Sequence, residues 1–151
     1  MPVIELATFV RATPERVFDL SRDVDAHVAS ASGTGERAVS GKTHGLLELG
    51  DEVTWEAVHF GVRQRLTSRI TRFDRPRSFR DSMVRGAFAR FDHDHLFEPR
   101  DGGTLARDVF DFTSPLGVLG RLADALVLER HMRRFLGERM RILKELAEQD
   151  T

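Results

Sequence analysis

His93 and His95 stand one residue apart, with Asp81 upstream and Asp108 downstream of them. An imidazole exchanges protons near neutral pH, and a carboxylate beside it fixes its tautomer and orientation. Such His–Asp dyads suit removal of a proton from an activated methylene, followed by cyclisation or dehydration. Without turnover, the same groups can read the polar end of a bound molecule. Two imidazoles at positions i and i+2 also match a spacing that metal sites use, and Asp81 or Asp108 offers oxygen. No third ligand at coordinating distance can be placed from the sequence, so no metal and no cofactor are assigned. The chain has no cysteine and no tyrosine. That excludes disulfides, zinc thiolates, iron–sulfur ligation, a thiol nucleophile and a phenolic acid. No serine stands out as a nucleophile, which leaves histidine and aspartate as the main polar chemistry.

These residues act together only if strands bring them together. Residues 3–11 read as a strand, and Thr13-Pro14 as an N-cap and first helical position for a helix over 14–20. A second short helix is expected over 23–29. Further strands are expected at 36–40, 51–60, 62–73, 77–85, 89–98 and 104–113, separated by turn residues. A two-residue turn at Phe60-Gly61 sets Trp55 opposite Leu66, Ala57 opposite Gln64 and Val53 opposite Ser68 on one face. On the other face it sets Glu56 opposite Arg65 and Glu52 opposite Arg69. A three-residue turn at 86–88 places Arg80 opposite Asp94 and Asp81 opposite His93, avoiding the Asp81–Asp92 repulsion of the shorter turn. A turn at Asp101-Gly102 then pairs His95 with Asp108, His93 with Phe110 and Phe91 with Phe112. Asp81, His93, His95 and Asp108 thus share a face with Phe91, Phe97, Phe110 and Phe112.

From Leu116 the pattern changes to a helical period. Leu119, Leu122, Ala123, Leu126, Phe135, Leu136, Met140, Leu143 and Leu146 form one broad apolar face of a helix that exceeds 30 residues if continuous. Arg130, Arg133, Arg134, Arg139 and Arg141 are assigned mostly to its polar face. The 151 residues, 40% hydrophobic and 31% charged, suit one α+β domain spanning 1–151. The chain is long enough to bury a sizeable core. Polar groups on the face that meets the helix either satisfy one another or are reached by water and a ligand, because each costs about 1–3 kcal/mol if left unpaired.

The net charge of −1 conceals a pattern. Residues 1–62 carry five basic and ten acidic side chains, 63–100 ten and five, and 101–151 eight and nine. The outward Arg63, Arg65 and Arg69 are partly matched by Glu52 and Glu56, so a solvated face is the reading and no nucleic acid is assigned. The stretch GERAVSGKT at 35–43 has five residues between Gly35 and Gly41 and runs toward a strand, which excludes a phosphate-cradling loop. No apolar run approaches the ~18 residues of a membrane span and no leader is read, so a soluble cytoplasmic protein without stable membrane insertion is expected.

The order strand, two short helices, antiparallel strands and long last helix resembles the START-like, or Bet v 1-like, superfamily, also called SRPBCC. The match is carried by ATPERVF at 12–18, GDEVTW at 50–55, HFG at 59–61, RGAFARFDHDHLF at 85–97, GGT at 102–104 and SPLGVLGRL at 114–122. It is most similar to the bacterial polyketide cyclase/dehydrase-like branch. The resemblance implies a helix-grip fold, in which a curved sheet of about seven strands wraps the C-terminal helix and leaves an elongated apolar cavity. In that superfamily the cavity takes lipids, sterols, polyketides or quinones, and a minority of members are enzymes. The polar cluster would then sit on the cavity wall, and Leu46, Leu47 and Leu49 could form part of a gate.

Three functions remain open. In the first, the protein binds or carries a small hydrophobic molecule, with Trp55, Gln64, Leu66, Ser68, Asp81, Phe91, His93, His95, Asp108, Phe110, Leu122 and Leu126 as ligand contacts. In the second it is a cyclase or dehydratase whose catalytic groups are His93, His95 and Asp108. In the third it is a protein-interaction module or homodimer using the outward Val58 and Phe60.

Overall fold

The computed structural model describes residues 3–30, 35–59, 61–113 and 127–149. Strand β1 (Val3–Val10) leads into helices α1 (Pro14–Ser21) and α2 (Val24–Ser30). Then come β2 (Arg37–Gly41), β3 (Glu52–His59), β4 (Val62–Asp74), β5 (Ser78–Arg85), β6 (Arg90–Arg100), β7 (Gly103–Thr113) and helix α3 (Glu129–Glu148). The strands form one sheet in the order β1-β7-β6-β5-β4-β3-β2, antiparallel throughout. This is the helix-grip arrangement. The section of the last helix expected over 116–126 lies outside the described residues.

Local chemistry sets the element ends. The Thr13 side chain accepts a hydrogen bond from the Arg16 amide at 3.2 Å, and Pro14 follows it at the first turn. That pairing satisfies an otherwise orphaned N–H and needs no donor from the proline. Asp101 and Gly102 both take positive φ, 49° and 79°, as the two-residue β6–β7 hairpin turn requires. In the β3–β4 hairpin every pairing matches the expected register, including Trp55 with Leu66 and Glu56 with Arg65.

The β5–β6 register is also as expected, with Arg80 opposite Asp94 and Asp81 opposite His93. Its turn is wider than the three residues expected. The ladder stops at Ser82 and Asp92, beyond which Met83 and Arg85 pair with β4 and the Ala89 amide bonds to Thr113 O. The released loop directs Phe88 inward, against the edges of Phe91, Phe110 and Phe112. Burial of that ring favours the wide connection over a tight turn.

The buried apolar side chains fall into two clusters. One surrounds Phe18, whose ring meets Phe73, Phe79 and Phe97 edge-on at centroid distances of 5.4, 5.2 and 5.5 Å. The other joins Ile4, Phe91, Phe110 and Phe112 to Met132 and Leu136 of α3. Leu47 belongs to the first cluster, Leu46 bridges to Asp23, and Leu49 is exposed. None of the three lines the main cavity described below, so the expected leucine gate is corrected: the loop packs onto α1 because Arg22 donates to Leu47 O at 3.1 Å.

Helix α3 is fastened at its C-terminal end. Arg16 donates to the carbonyls of Ala147 at 2.8 Å and Leu146 at 3.2 Å, Lys144 donates to Phe9 O at 2.8 Å, and Glu148 accepts from the Arg11 amide at 2.8 Å. These bonds satisfy last-turn carbonyls and tie the helix to β1 and α1. Outside, Arg65 and Arg63 approach Glu56 at 3.0 and 3.5 Å, and Arg69 pairs with Glu52. Among the described residues no helix is long and apolar enough to cross a membrane.

The Phe18 ring makes the sharpest test of this packing. Phe18→Ala is expected to lower unfolding free energy by about 3–5 kcal/mol, whereas Val58→Ala on the outer face should cost less than about 1 kcal/mol. Urea denaturation measures both, and equal losses would contradict the assigned faces.

Candidate functional site

Along β6 the inward side chains are Phe91, His93, His95 and Phe97, and all four are buried. The phenylalanines at the ends belong to different apolar clusters, and the histidines lie between. His95 stacks on Phe79 with a centroid separation of 4.2 Å, and His93 meets the edge of Phe110 at 5.2 Å. Strand register supplies the acids, with β5 setting Asp81 opposite His93 and β7 setting Asp108 opposite His95.

His95 lies between two carboxylates, with Nε2 2.7 Å from Asp81 Oδ1 and Nδ1 3.3 Å from Asp108 Oδ1. Both ring nitrogens face acceptors, which fits an imidazolium. Burial acts to lower its pKa, but Asp108 and then Asp81 outweigh it and push it up to about 9. Burial also acts to raise both carboxyls. Asp108 is nevertheless held well below the usual carboxylate range by His93 and His95, and Asp81 is lowered by its bond to His95. His93 is different: its Nδ1 is 3.8 Å from Asp81 and its Nε2 3.7 Å from Asp108, too far for hydrogen bonds. Burial, then repulsion from His95, lowers its pKa and keeps it neutral. Its buried Nε2 has no hydrogen-bond partner among the described residues.

A cavity of about 380 Å³ lies between the sheet and α3. Trp55, Gln64, Leu66, Ser68, Asp81, Phe91, His93 and Phe110 of the expected contacts line it. His95 and Asp108 do not: they border a separate crevice of about 20 Å³ between β1, α1 and α3. The expectation that all four polar residues share one wall is thus corrected. Asp81 and His93 face the main cavity, and the other two stand beside them because β7 continues toward β1. Leu122, Leu126 and Phe60 lie outside the described residues.

The cavity also has polar groups that sequence reading missed. Arg139, assigned to the polar face of the last helix, is buried and lines the cavity. Its Nη2 donates to His27 Nδ1 at 2.8 Å, and its Nε has no partner among the described residues. A guanidinium only donates, so His27 Nδ1 accepts and Nε2 carries the proton that it gives to Glu36. Burial and then Arg139 keep His27 neutral by lowering its pKa. Burial works to raise Glu36, but His27 and Arg139 hold it below the usual range. The His27 ring stacks on Trp55 at 3.9 Å. Farther along the wall, His59 Nδ1 and His131 Nε2 are 2.8 Å apart, and both pKa values are lowered, chiefly by burial. The helical period that exposes Arg134 buries Arg139, yet a lone arginine at that spacing reads as solvated. His27 and Glu36 carried no periodic signal.

Compared with known proteins, the sequence matches the family model described as polyketide cyclase / dehydrase and lipid transport over residues 1–148. No curated protein matches it. Among solved structures, TTHA0849 from Thermus thermophilus is similar with a TM-score of 0.78 at 19% identity, covering 95% of each chain. CV1439 from Chromobacterium violaceum gives 0.75 at 18% identity over 98% of each chain. The major latex-like protein 151 of Panax ginseng gives 0.72 at 12% identity over 97% of each. Likeness at these identities shows a shared fold.

The depressed histidines set a pH dependence. His27, His59 and His131 have folded pKa values below the unfolded value of about 6.5, so the unfolded chain binds more protons in that range. Their contribution is present above about pH 6.5 and is lost as pH falls toward the folded values. His95, raised to about 9, acts in the opposite sense but contributes fully below about pH 6.5. The urea midpoint should therefore decline as pH falls from about 6.5 to 5, and His59→Gln should reduce the decline. A midpoint that rises toward acid would contradict the buried neutral assignments.

Proposed function

The chain belongs to the polyketide cyclase/dehydrase and lipid-transport family, and from that premise we propose that it binds a small, largely apolar molecule between the sheet and α3. The observation that carries this reading is the cavity itself, whose size falls within the range of about 300–1,000 Å³ typical of small-molecule sites. Leu66, Phe88, Phe91, Phe110, Phe135 and Leu136 supply an apolar lining. Arg139 supplies the polar contact. Among the described residues its guanidinium has one hydrogen-bond partner, the neutral His27, and a buried cation gains from a further acceptor. A carbonyl, carboxylate or phenolate oxygen on the ligand fits that need.

A second reading rests on His93. It is neutral, buried and lines the cavity beside Asp81, which is the state required of a general base in cyclase or dehydratase chemistry. His93→Gln would abolish turnover with affinity retained under that reading, and would leave a pure carrier's function intact.

Anilinonaphthalene sulfonate, which joins an apolar body to an oxyanion, tests the binding reading. It should bind the folded protein one to one, and Ala57→Trp, which fills the cavity from β3, should weaken it at least about tenfold, the effect of ~1.4 kcal/mol. Val58→Lys on the opposite face should leave binding unchanged. Undiminished binding by a cooperatively folded Ala57→Trp protein would contradict the proposal.

A further inference from the structure

We propose that Asp81, His93 and His95 form a site for a divalent transition-metal ion, zinc or cobalt in chemical class, on the wall of the cavity. Asp81 Oδ, one ring nitrogen of His93 and one of His95 lie within 4.8 Å of one another. The sequence places two imidazoles on one strand face, and the β5–β6 register adds the third donor by setting Asp81 opposite His93. Two imidazoles and one carboxylate are a donor set that zinc accepts, with nitrogen and oxygen bonds of about 2.0–2.2 Å.

The orientation of the rings carries the inference further. His95 turns Nε2 toward Asp81, at 2.7 Å, and Nδ1 toward Asp108, at 3.3 Å. His93 turns Nδ1 toward Asp81, at 3.8 Å, and Nε2 toward Asp108, at 3.7 Å. Each imidazole thus aims one nitrogen at the shared Asp81 oxygen and the other at Asp108. Metal-ligating histidines are held in this way, with the second ring nitrogen on a carboxylate that sets its tautomer and raises its basicity. Asp108, on β7, lies 3.3 Å from His95 and 3.7 Å from His93, so a small inward shift of the His93 ring would let it brace both. The pairing of β5, β6 and β7 holds all four side chains on adjacent strands.

The ion would sit between His95 Nε2 and Asp81 Oδ1, which face each other at 2.7 Å. His93 Nε2, buried and without a hydrogen-bond partner among the described residues, gains a defined role as the N–H turned toward Asp108. Asp81 and His93 both line the cavity, so a position left open by three protein ligands adjoins the space where a small molecule fits. Arg139 of α3 faces the same wall and is engaged by His27. The inference goes beyond the apolar-ligand reading and needs no bound organic molecule.

Calorimetric titration of the chelator-treated protein with Zn²⁺, and visible absorption with Co²⁺, test the site without any apolar ligand present. One ion should bind per chain, and His93→Ala or His95→Ala should weaken binding at least about 100-fold, while Asp108→Asn should weaken it about 10–100-fold as an outer-sphere partner does. His59→Ala, which disrupts the only other His–His contact across the cavity among the described residues, should leave binding unchanged. If an alanine variant fails to fold, the ring signals of the wild-type protein decide: Zn²⁺ should shift those of His93 and His95 and leave His59 and His131 in place. Absence of saturable binding to millimolar Co²⁺, or binding that survives His95→Ala and is lost in His59→Ala, would overturn the proposal.

Discussion

A sheet whose inner face carries two histidines and two aspartates cannot close onto a helix as a continuous apolar layer. Burying one of those groups alone would cost several kcal/mol, of the order of 3–5 kcal/mol for an ion stripped of its partner. The strands avoid that cost through register, because Asp81 arrives opposite His93 and Asp108 opposite His95. The result is a polar layer across the middle of β5, β6 and β7. It divides the apolar interior into a cluster around Phe18 and a cluster around Phe112. Much else in the molecule follows from that division.

Helix α3 meets the second cluster through Met132 and Leu136 and is tied at its far end to β1 and α1 by Arg16, Lys144 and Glu148. Between those contacts it passes the polar layer, where Arg139 turns inward and meets His27. The space left there is the cavity. Its walls are mostly aromatic and aliphatic, and its charged lining residues are Arg139, Glu36, Asp81 and Arg65, the last of them paired with Glu56. Such a site favours molecules with an apolar body and a single hydrogen-bonding end. It disfavours fully apolar ones, which would leave the guanidinium short of acceptors.

Much of this was legible in residue order because strand pairing is arithmetic. Once a turn is placed, every opposite pair follows, and charge complementarity at Glu56–Arg65 and Arg80–Asp94 selects between registers. The four residues of the polar layer emerged from that reasoning with their cross-strand positions correct, although the shortest contact, His95 to Asp81, runs diagonally. The rest was hidden because it depends on distances between elements. Pairing says which residues are opposite, but not that His95 and Asp108 border the small crevice beside α1 while Asp81 and His93 line the main cavity. His27 and Glu36 reach the cavity from α2 and the approach to β2, whose placement against Trp55 leaves no periodic trace. Arg139 looked solvated because only the packing of α3 in the fold shows which arginine is enclosed. The turn at 86–88 opened because Phe88 found an aromatic pocket that local turn rules do not register.

The central claim is that His95 and Asp108 belong to one buried, mutually dependent layer. A double-mutant cycle with His95→Phe and Asp108→Leu measures that dependence in unfolding free energy. Each single change should cost about 3–5 kcal/mol by leaving a buried charge or acceptor unmatched, and the double change should cost clearly less than the sum, with a coupling of about 1–3 kcal/mol. Losses that simply add, each below about 0.5 kcal/mol as at exposed positions, would contradict the account.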